Sequence, residues 1–150
     1  MNYWLMKTEP DVLSISDLKK SKTQCWDGVR NYQARNYMKE MKLNDQVLFY
    51  HSSTDPSGIA GLAKVTKLPY PDHTQFDPKS EYYDPKATKD VPRWFMVDVT
   101  YVDSFKNILT LNELRKHKEL ADMIVLKKGN RLSITPVKKN EYDLILKIRD

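Results

Sequence analysis

The clearest structural pattern in the chain is the stretch Trp94-Phe95-Met96-Val97-Asp98-Val99-Thr100-Tyr101-Val102. Its odd-numbered positions from 95 to 101 are apolar or aromatic, whereas Asp98 and Thr100 point the other way. Side chains alternate between the two faces of a strand, so a period of two predicts a half-buried β-strand. The other elements are predicted outward from this strand.

Short runs of strand-forming residues predict the remaining strands. They cover residues 3–6, 46–52, 59–65 and 131–134, and Pro136 is expected to stop the last of them. Residues 69–92 contain five prolines and little hydrophobic periodicity. This segment is predicted to be a long loop, either functional or pinned by its own aromatic side chains.

Helical spacing and capping residues predict short helices between the strands. They are expected after Ser14, from Tyr32 onward with Arg35 and Lys39 on a basic side, after the capping box Thr110-Leu111-Asn112-Glu113, around Leu120 and Met123, and from Tyr142 to Ile148. The combined pattern predicts an α+β fold: a small, partly closed and mostly antiparallel β-barrel flanked by helices. Residues 1–150 are expected to form a single domain.

Length and charge narrow the class of protein. A chain of 150 residues is the size of one ordinary domain, and 25 basic against 20 acidic residues give a net charge of +5. That excess favours polyanionic partners. The longest apolar stretches, such as Val47 to Tyr50, fall far short of the ~18 residues of a membrane span. With no apolar signal segment in the first ten residues, a cytoplasmic protein without membrane contact is expected.

Motifs for metal, cofactor or nucleophilic chemistry are missing from the sequence. The single cysteine, Cys25, excludes an internal disulfide and a multi-cysteine zinc site, and the three histidines show no metal-ligand spacing. Four glycines form no phosphate-cradling loop. Nothing in the sequence places Cys25 next to His51 as a nucleophile and its base. No catalytic residue, metal or cofactor is therefore predicted.

The strongest local chemical signal is Trp26-Asp27-Gly28-Val29-Arg30-Asn31-Tyr32-Gln33-Ala34-Arg35-Asn36. It gathers an aromatic ring, a carboxylate, an amide and guanidinium groups around one turn and the start of a helix. A nucleobase site needs a ring to stack on, groups that bond to base edges, and cations for phosphate. An Asp-capped helix with a tryptophan staple explains the same residues equally well.

The segment Lys7-Thr8-Glu9 also carries two interpretations. Lys7 and Glu9 share one strand face, with Thr8 on the other. They form either a surface ion pair or, inside a pocket, an acid–base pair or hydrogen-bonding groups.

These segments together resemble the EVE domain family. The resemblance is carried, in order along the chain, by Tyr3 to Pro10, Trp26 to Asn36, Phe49 to Ser52, Gly58 to Gly61, Asp72, Gln75 to Ser80, Tyr82 to Pro85, Pro92 to Trp94, Arg131 to Ser133 and Pro136-Val137. EVE domains belong to the PUA-like superfamily, alongside YTH and ASCH domains. The resemblance implies a small β-barrel flanked by helices that binds modified nucleobases, above all modified cytosine in DNA.

The resemblance implies roles for particular residues of this chain. Trp26 and Tyr50 are candidates for stacking on a flipped base, with Tyr83 or Trp94 as further aromatic candidates. The candidates for recognising the base edge are Thr8, Asp27, Asn31, His51 and Ser133. The candidates for phosphate contact are Arg30, Arg35, Lys39 and Arg131; an ion pair with Asp27 is the alternative for Arg30. Thr8 replaces a serine that is common in the family, and Asn44 replaces a frequent glycine.

The implied function is non-catalytic recognition of a modified base, with DNA favoured over RNA as the partner. The alternative function is a small hydrolase of modified nucleosides, because ASCH domains use lysine, threonine and glutamate to hydrolyse amides. Lys7, Thr8 and Glu9 supply those residue types, but strand alternation is expected to keep all three from one ligand.

Overall fold

A computed structural model describes residues 1–149 of the protein. Six strands form one sheet: β1 Tyr3–Thr8, β2 Thr23–Cys25, β3 Gln46–His51, β4 Gly58–Pro71, β5 Phe95–Thr110 and β6 Ile134–Val137. Their order is β2-β5-β4-β3-β1-β6, and β1 and β3 are parallel while all other neighbours are antiparallel. The first and last strands of this order are not paired with each other, so the sheet is only partly closed. The predicted α+β class with a mostly antiparallel sheet is confirmed.

Four α-helices flank the sheet within the described residues: α1 Ile15–Ser21, α2 Tyr32–Lys39, α3 Leu111–Arg115 and α4 Lys139–Ile148. Single 3₁₀ turns lie at His73–Phe76, Lys118–Leu120 and Ile124–Leu126. The predicted cap of α1 is present, since the Ser14 side chain accepts from the Asp17 N–H and Asp17 reaches back to the Ser14 N–H. None of these helices has the length and apolar character needed to cross a bilayer.

The sheet buries side chains on both faces because its strands carry apolar residues at odd and even positions. Met6 and Phe49 pack with α1 and α2 on one face. Leu5 and Leu48 pack with α3 and α4 on the other face. Strands β1 and β3 thus have helices on both faces, and only the ends of these strands remain accessible.

The observed strands differ from the predicted ones at several boundaries; β1 runs on to Thr8 and β5 to Thr110, each beyond its predicted end. Strand β6 starts at Ile134 and includes Pro136, which was expected to stop it. Because β6 is an edge strand, paired on one side with β1, a missing N–H on its open side costs no ladder bond. Strand β4 runs on to Pro71, and the shifts in its register with β5 show how a long, bent strand accommodates prolines. The polar strand β2 carries no apolar alternation and was not predicted.

Candidate functional site

A cavity of about 520 Å³ opens where the parallel strands β1 and β3 end. Four segments surround it: residues 7–9 with 12 and 13, residues 25–30, residues 52 and 53, and residues 131 and 133, with Tyr82 as a further wall. Parallel strands bring the residues that follow them to the same edge of the sheet, which explains why the first and third segments meet. The volume falls within the range of ~300–1,000 Å³ typical of small-molecule pockets.

Trp26 supplies the aromatic wall of this cavity. Its side chain lines the cavity but is only 5% exposed, and its ring meets Phe49 edge to face with centroids 5.5 Å apart. The backbone N–H of Trp26 donates to the Val97 carbonyl oxygen at 2.8 Å. The ring is therefore held in place before any ligand arrives.

Asp72 holds the loop that follows Trp26. One of its carboxylate oxygens accepts from the Gly28 N–H at 2.8 Å and from Arg30 Nη1 at 3.0 Å. Burial opposes ionisation of this carboxyl, but hydrogen bonds from Thr74, Gly28 and Arg30 outweigh it and lower its pKa. A fully buried carboxylate thus fixes the loop from behind.

The guanidinium group of Arg30 donates all of its hydrogen bonds within the protein. Its Nε and Nη2 donate to the Tyr82 carbonyl oxygen at 3.1 and 2.8 Å, and Nη2 also donates to Thr74 Oγ1 at 3.0 Å. Nη1 donates to the Val29 carbonyl oxygen at 2.9 Å as well as to Asp72. An arginine has five N–H donors, so each has a partner here. The ion pair of Arg30 is made with Asp72, which corrects the alternative pairing with Asp27.

Gly28 is required by its close approach to Tyr82. Its φ of +81° lies in the left-handed region, and a Cβ added there would sit 2.7 Å from the Tyr82 ring. The absence of a Cβ therefore lets the loop that carries Asp27 lie close against the Tyr82 ring.

Asp27 places a carboxylate at the cavity surface beside Trp26. Burial raises the pKa of this half-buried carboxyl, and the neighbouring charge of Asp72 raises it further. Within residues 1–149 its side chain has no hydrogen bond to another residue. Such a group gains from any ligand that donates to it.

Hydroxyl groups line the same cavity at Thr8 and Ser133. The two residues lie on neighbouring segments, because the Lys7 N–H donates to the Ser133 carbonyl oxygen at 2.8 Å. Thr8 Oγ1 donates weakly, at 3.4 Å, to the Glu9 carbonyl oxygen. Both hydroxyls can donate to or accept from a planar polar ligand.

Lys7, Thr8 and Glu9 all line the cavity. Strand β1 ends at Thr8, so Lys7 and Thr8 occupy successive strand positions that face opposite ways, and only Glu9 lies outside the strand. Burial lowers the pKa of Lys7, and its Nζ lies 5.5 Å from the centroid of the Tyr50 ring.

Three candidates for base contact hold the fold together outside the cavity lining. Asn31 caps α2, since its Oδ1 accepts from the Ala34 N–H at 3.0 Å; the helix is thus capped by Asn31 rather than by Asp27. Tyr50 is buried in the core beneath α3 and α4. His51 Nε2 accepts from the Ile15 N–H at 3.1 Å, and burial lowers the pKa of this imidazole.

The remaining aromatic and basic candidates form a second cluster along α2. Trp94 stacks on Tyr32 with centroids 4.9 Å apart and donates its indole N–H to Asp84. Arg35 lies over the Tyr32 ring at 4.8 Å, and Lys39 lies over the Phe95 ring at the same distance. Tyr83 is 41% exposed on the loop next to Tyr82. Of the thirteen predicted contact residues, the cavity lining brings together Thr8, Trp26, Asp27, Arg30, Arg131 and Ser133.

Sequence reasoning assigned no place in the binding site to Asp72, Tyr82 or Val12. Asp72 begins an Asp-x-Thr pattern in which its side chain accepts from the Thr74 N–H at 2.8 Å, a local signal for a turn. Nothing local connects Asp72 to Gly28 across 44 positions. No group of three or more metal-binding side chains occurs in the part of the chain that the structure describes.

Comparison with known proteins gives consistent matches across the chain. The EVE domain family model matches residues 2–148. Mouse thymocyte nuclear protein 1 is 43% identical over 168 residues, which cover 99% of this chain and 74% of that protein. A crystal structure from Pseudomonas syringae has 47% identity and a TM-score of 0.95, covering 97% of this chain and 98% of the other.

A structure of the human THYN1 protein in complex with DNA containing 5-methylcytosine is also similar. It has 44% identity and a TM-score of 0.92, and the match covers 99% of this chain and 97% of the human one. An ASCH protein from Zymomonas mobilis has a TM-score of 0.56 at 9% identity, which shows a shared fold alone.

Proposed function

The chain belongs to the EVE domain family, and we propose that it binds DNA carrying a modified cytosine, with the flipped base held in the cavity beside Trp26. We take residues 1–150 as one such binding module, which holds the base without converting it. The human relative bound to 5-methylcytosine DNA supports this choice of partner. So does the net charge of +5, because DNA presents a polyanionic backbone.

The observation that carries the proposal is the pairing of Trp26 with Asp27 in one cavity. A base taken out of the stack loses its stacking and its hydrogen-bond partner, and its pocket must replace both. The Trp26 ring offers the stacking surface. The Asp27 carboxylate accepts from the exocyclic amino group of cytosine, a donor that thymine lacks. Thr8 and Ser133 can complete the polar edge.

Recognition of the modification itself falls to apolar side chains of the same cavity. Leu13 and Val29 both line it, and Val29 is buried. A methyl group at position 5 of cytosine gains when it leaves water for such surroundings, by roughly 0.8 kcal/mol per buried carbon. This gain accounts for a preference over unmodified cytosine.

Phosphate contact is assigned to Arg131 at the cavity rim. Its side chain is exposed and lines the cavity, whereas Arg30 has every donor occupied. Exposed Arg131 can therefore turn toward a DNA backbone at little cost. The basic side of α2, with Arg35 and Lys39, is a second candidate surface.

The test is a titration with duplexes that differ at one cytosine. Unmodified, 5-methylated and 5-hydroxymethylated duplexes are compared at one salt concentration, because salt controls the backbone contribution. We expect tighter binding of a modified duplex. Identical affinities for all three would contradict the proposal.

A matched pair of variants locates the base. Trp26→Phe reduces the stacking surface in the cavity, and Trp94→Phe makes the same change at a buried tryptophan of the α2 cluster. We expect the first variant to lose preference for the modified base and the second to keep it. Base–aromatic stacking contributes ~1–3 kcal/mol per base, so the loss is measurable.

Hydrolysis of a modified nucleoside is the second candidate function, because Lys7, Thr8 and Glu9 share the cavity. A nucleophilic hydroxyl needs a base within hydrogen-bond reach, whereas Thr8 Oγ1 donates to a backbone carbonyl. Incubation with N4-acetylcytidine separates the two functions. Release of cytidine by the protein, and its loss in Lys7→Ala, would establish hydrolysis.

A further inference from the structure

The cavity rim carries one exposed apolar side chain. Val12 is 61% exposed and lines the cavity, and the other exposed residues of the described lining are Glu9, Ser53 and Arg131. We propose that Val12 enters the DNA duplex and fills the gap left by the flipped base, so that the partner of this site is double-stranded. This inference rests on the proposed function and adds the form of DNA that the site takes.

The turn that carries Val12 is held firmly. The N–H groups of Val12 and Leu13 both donate to the Glu9 carbonyl oxygen, at 2.9 and 3.0 Å. Leu13 packs against the core beneath α1 and α2, and Ser14 directly caps α1. An exposed valine on a mobile loop would lose much freedom when it inserted. On this turn, that entropy has already been lost in folding.

Charge at the rim directs this turn toward bases rather than phosphates. Glu9 and Asp11 precede Val12 on the same turn and are exposed, so they repel a phosphate backbone. Arg131 lies at the same rim, preceded by the exposed Lys127 and Lys128, and attracts it. A duplex that places its phosphates on the basic segment 127–131 therefore meets Val12 with another part of its surface.

An inserted Val12 side chain can replace lost stacking only in a duplex. Flipping a base removes stacking from its two neighbours, and apolar protein side chains are able to insert between base pairs of a duplex. Val12 would leave water in that position, which predicts a roughly tenfold gain in affinity for duplex DNA. A single strand has no such gap, so Val12 should contribute little to its binding.

The experiment compares Val12→Ser with Val91→Ser on two ligands. Val91 is 70% exposed and is not part of the described cavity lining, so it controls for the loss of an exposed valine. One ligand is a duplex with a single 5-methylcytosine, and the other is the methylated strand alone. A 2-aminopurine placed next to the methylated base reports flipping by its fluorescence.

We expect Val12→Ser to bind the duplex roughly tenfold more weakly, with a smaller 2-aminopurine signal, and to bind the single strand as the wild type does. Val91→Ser should match the wild type on both ligands. Equal losses on duplex and single strand would make Val12 a pocket wall and overturn the inference, and so would unchanged duplex binding. If the wild type does not distinguish methylated from unmodified DNA in either form, the proposed function itself fails.

Discussion

Replacing Asp27 by asparagine tests base recognition with almost no change of shape. The carboxylate can only accept hydrogen bonds, whereas the amide can present either an oxygen or an NH₂ group. 5-Methylcytosine and thymine share their methyl group and ring. Their hydrogen-bonding groups are opposite at two positions: 5-methylcytosine has an amino donor at position 4 and an acceptor at N3, whereas thymine has an oxygen acceptor at position 4 and an N–H donor at N3. A comparison of these two bases therefore isolates edge recognition from recognition of the methyl group.

The magnitude follows from that single contact. A well-placed side chain on a base edge discriminates against the wrong base by ~1–3 kcal/mol, which is roughly 5- to 150-fold in affinity. With Asp27 opposite position 4 of the base, as proposed, its carboxylate repels the thymine oxygen and attracts the cytosine amino group, so the wild type should show this full preference. Because the amide accommodates both bases, Asp27→Asn should reduce the preference to about onefold to threefold.

Stability supplies an independent readout on the same variant. The pKa of Asp27 is raised, chiefly by burial and then by Asp72. Between the ordinary carboxyl pKa of ~3.9 and this raised value the folded protein binds more protons than the unfolded chain. The charged carboxylate therefore destabilises the wild type as pH rises through that window. Asp27→Asn should be at least as stable as the wild type at pH 7, and its advantage should shrink as pH falls.

The assay is competition of fluorescent 5-methylcytosine DNA by unlabelled strands with 5-methylcytosine or thymine at one position, alongside urea unfolding at pH 7 and pH 4. A stable Asp27→Asn protein that still prefers 5-methylcytosine by the wild-type factor would refute the assignment of Asp27 to the base edge. Unfolding at pH 7 well below the wild-type denaturant midpoint would refute the assigned cause of the raised pKa.

Further predictions follow from the ion pair between Arg30 and Asp72 and from the cavity rim. Arg30→Ala should lower the free energy of unfolding by roughly 3 kcal/mol, since it leaves the buried Asp72 carboxylate unpaired, yet leave the salt dependence of DNA binding unchanged. Arg131→Ala should do the reverse, with stability unchanged and the salt slope smaller by about one unit; equal salt slopes in both variants would contradict the assignment. Because the pKa of Asp72 is lowered, its contribution to stability is present above the ordinary carboxyl pKa of ~3.9 and is lost as pH falls below it, and acid unfolding of Asp72→Asn should lack this component. Gly28→Ala should weaken binding of modified DNA, because its methyl group displaces the Tyr82 ring, and wild-type affinity in a folded variant would show that this wall is not used.

Much of the fold was predictable because its signals are local. The helix after Ser14 is specified by a capping box four residues long, and β5 begins with a strict alternation from Phe95. The inclusion of Pro136 in β6 was not predictable, because it depends on β6 being at the sheet edge. Edge or centre is a property of the assembled sheet, and a proline has opposite consequences in the two places.

The residues of the site likewise fall into those that one sequence segment predicts and those that only the tertiary fold brings together. Trp26 and Asp27 are adjacent in sequence, so their joint presence in the cavity could be expected from one segment. Asp72 and Tyr82 reach that segment from 42 to 52 positions away, through bonds to Gly28 and Arg30. The long proline-rich loop is thus pinned partly by contacts with the site, and not by its own aromatic residues alone.

A side chain's type shows which contacts it can make, but only the structure shows whether they are already made. Arg30 has the chemistry of a phosphate ligand, yet its five donors are consumed inside the protein. Lys39 lies over an aromatic ring. Asp27, in contrast, is half-buried with a raised pKa, and its carboxylate accepts no hydrogen bond from another residue of the described chain. Its oxygens lie at the cavity surface, so a donor on a ligand can reach them without breaking a hydrogen bond inside the protein. Binding specificity is therefore best sought among cavity-lining polar groups that the fold leaves without a protein partner.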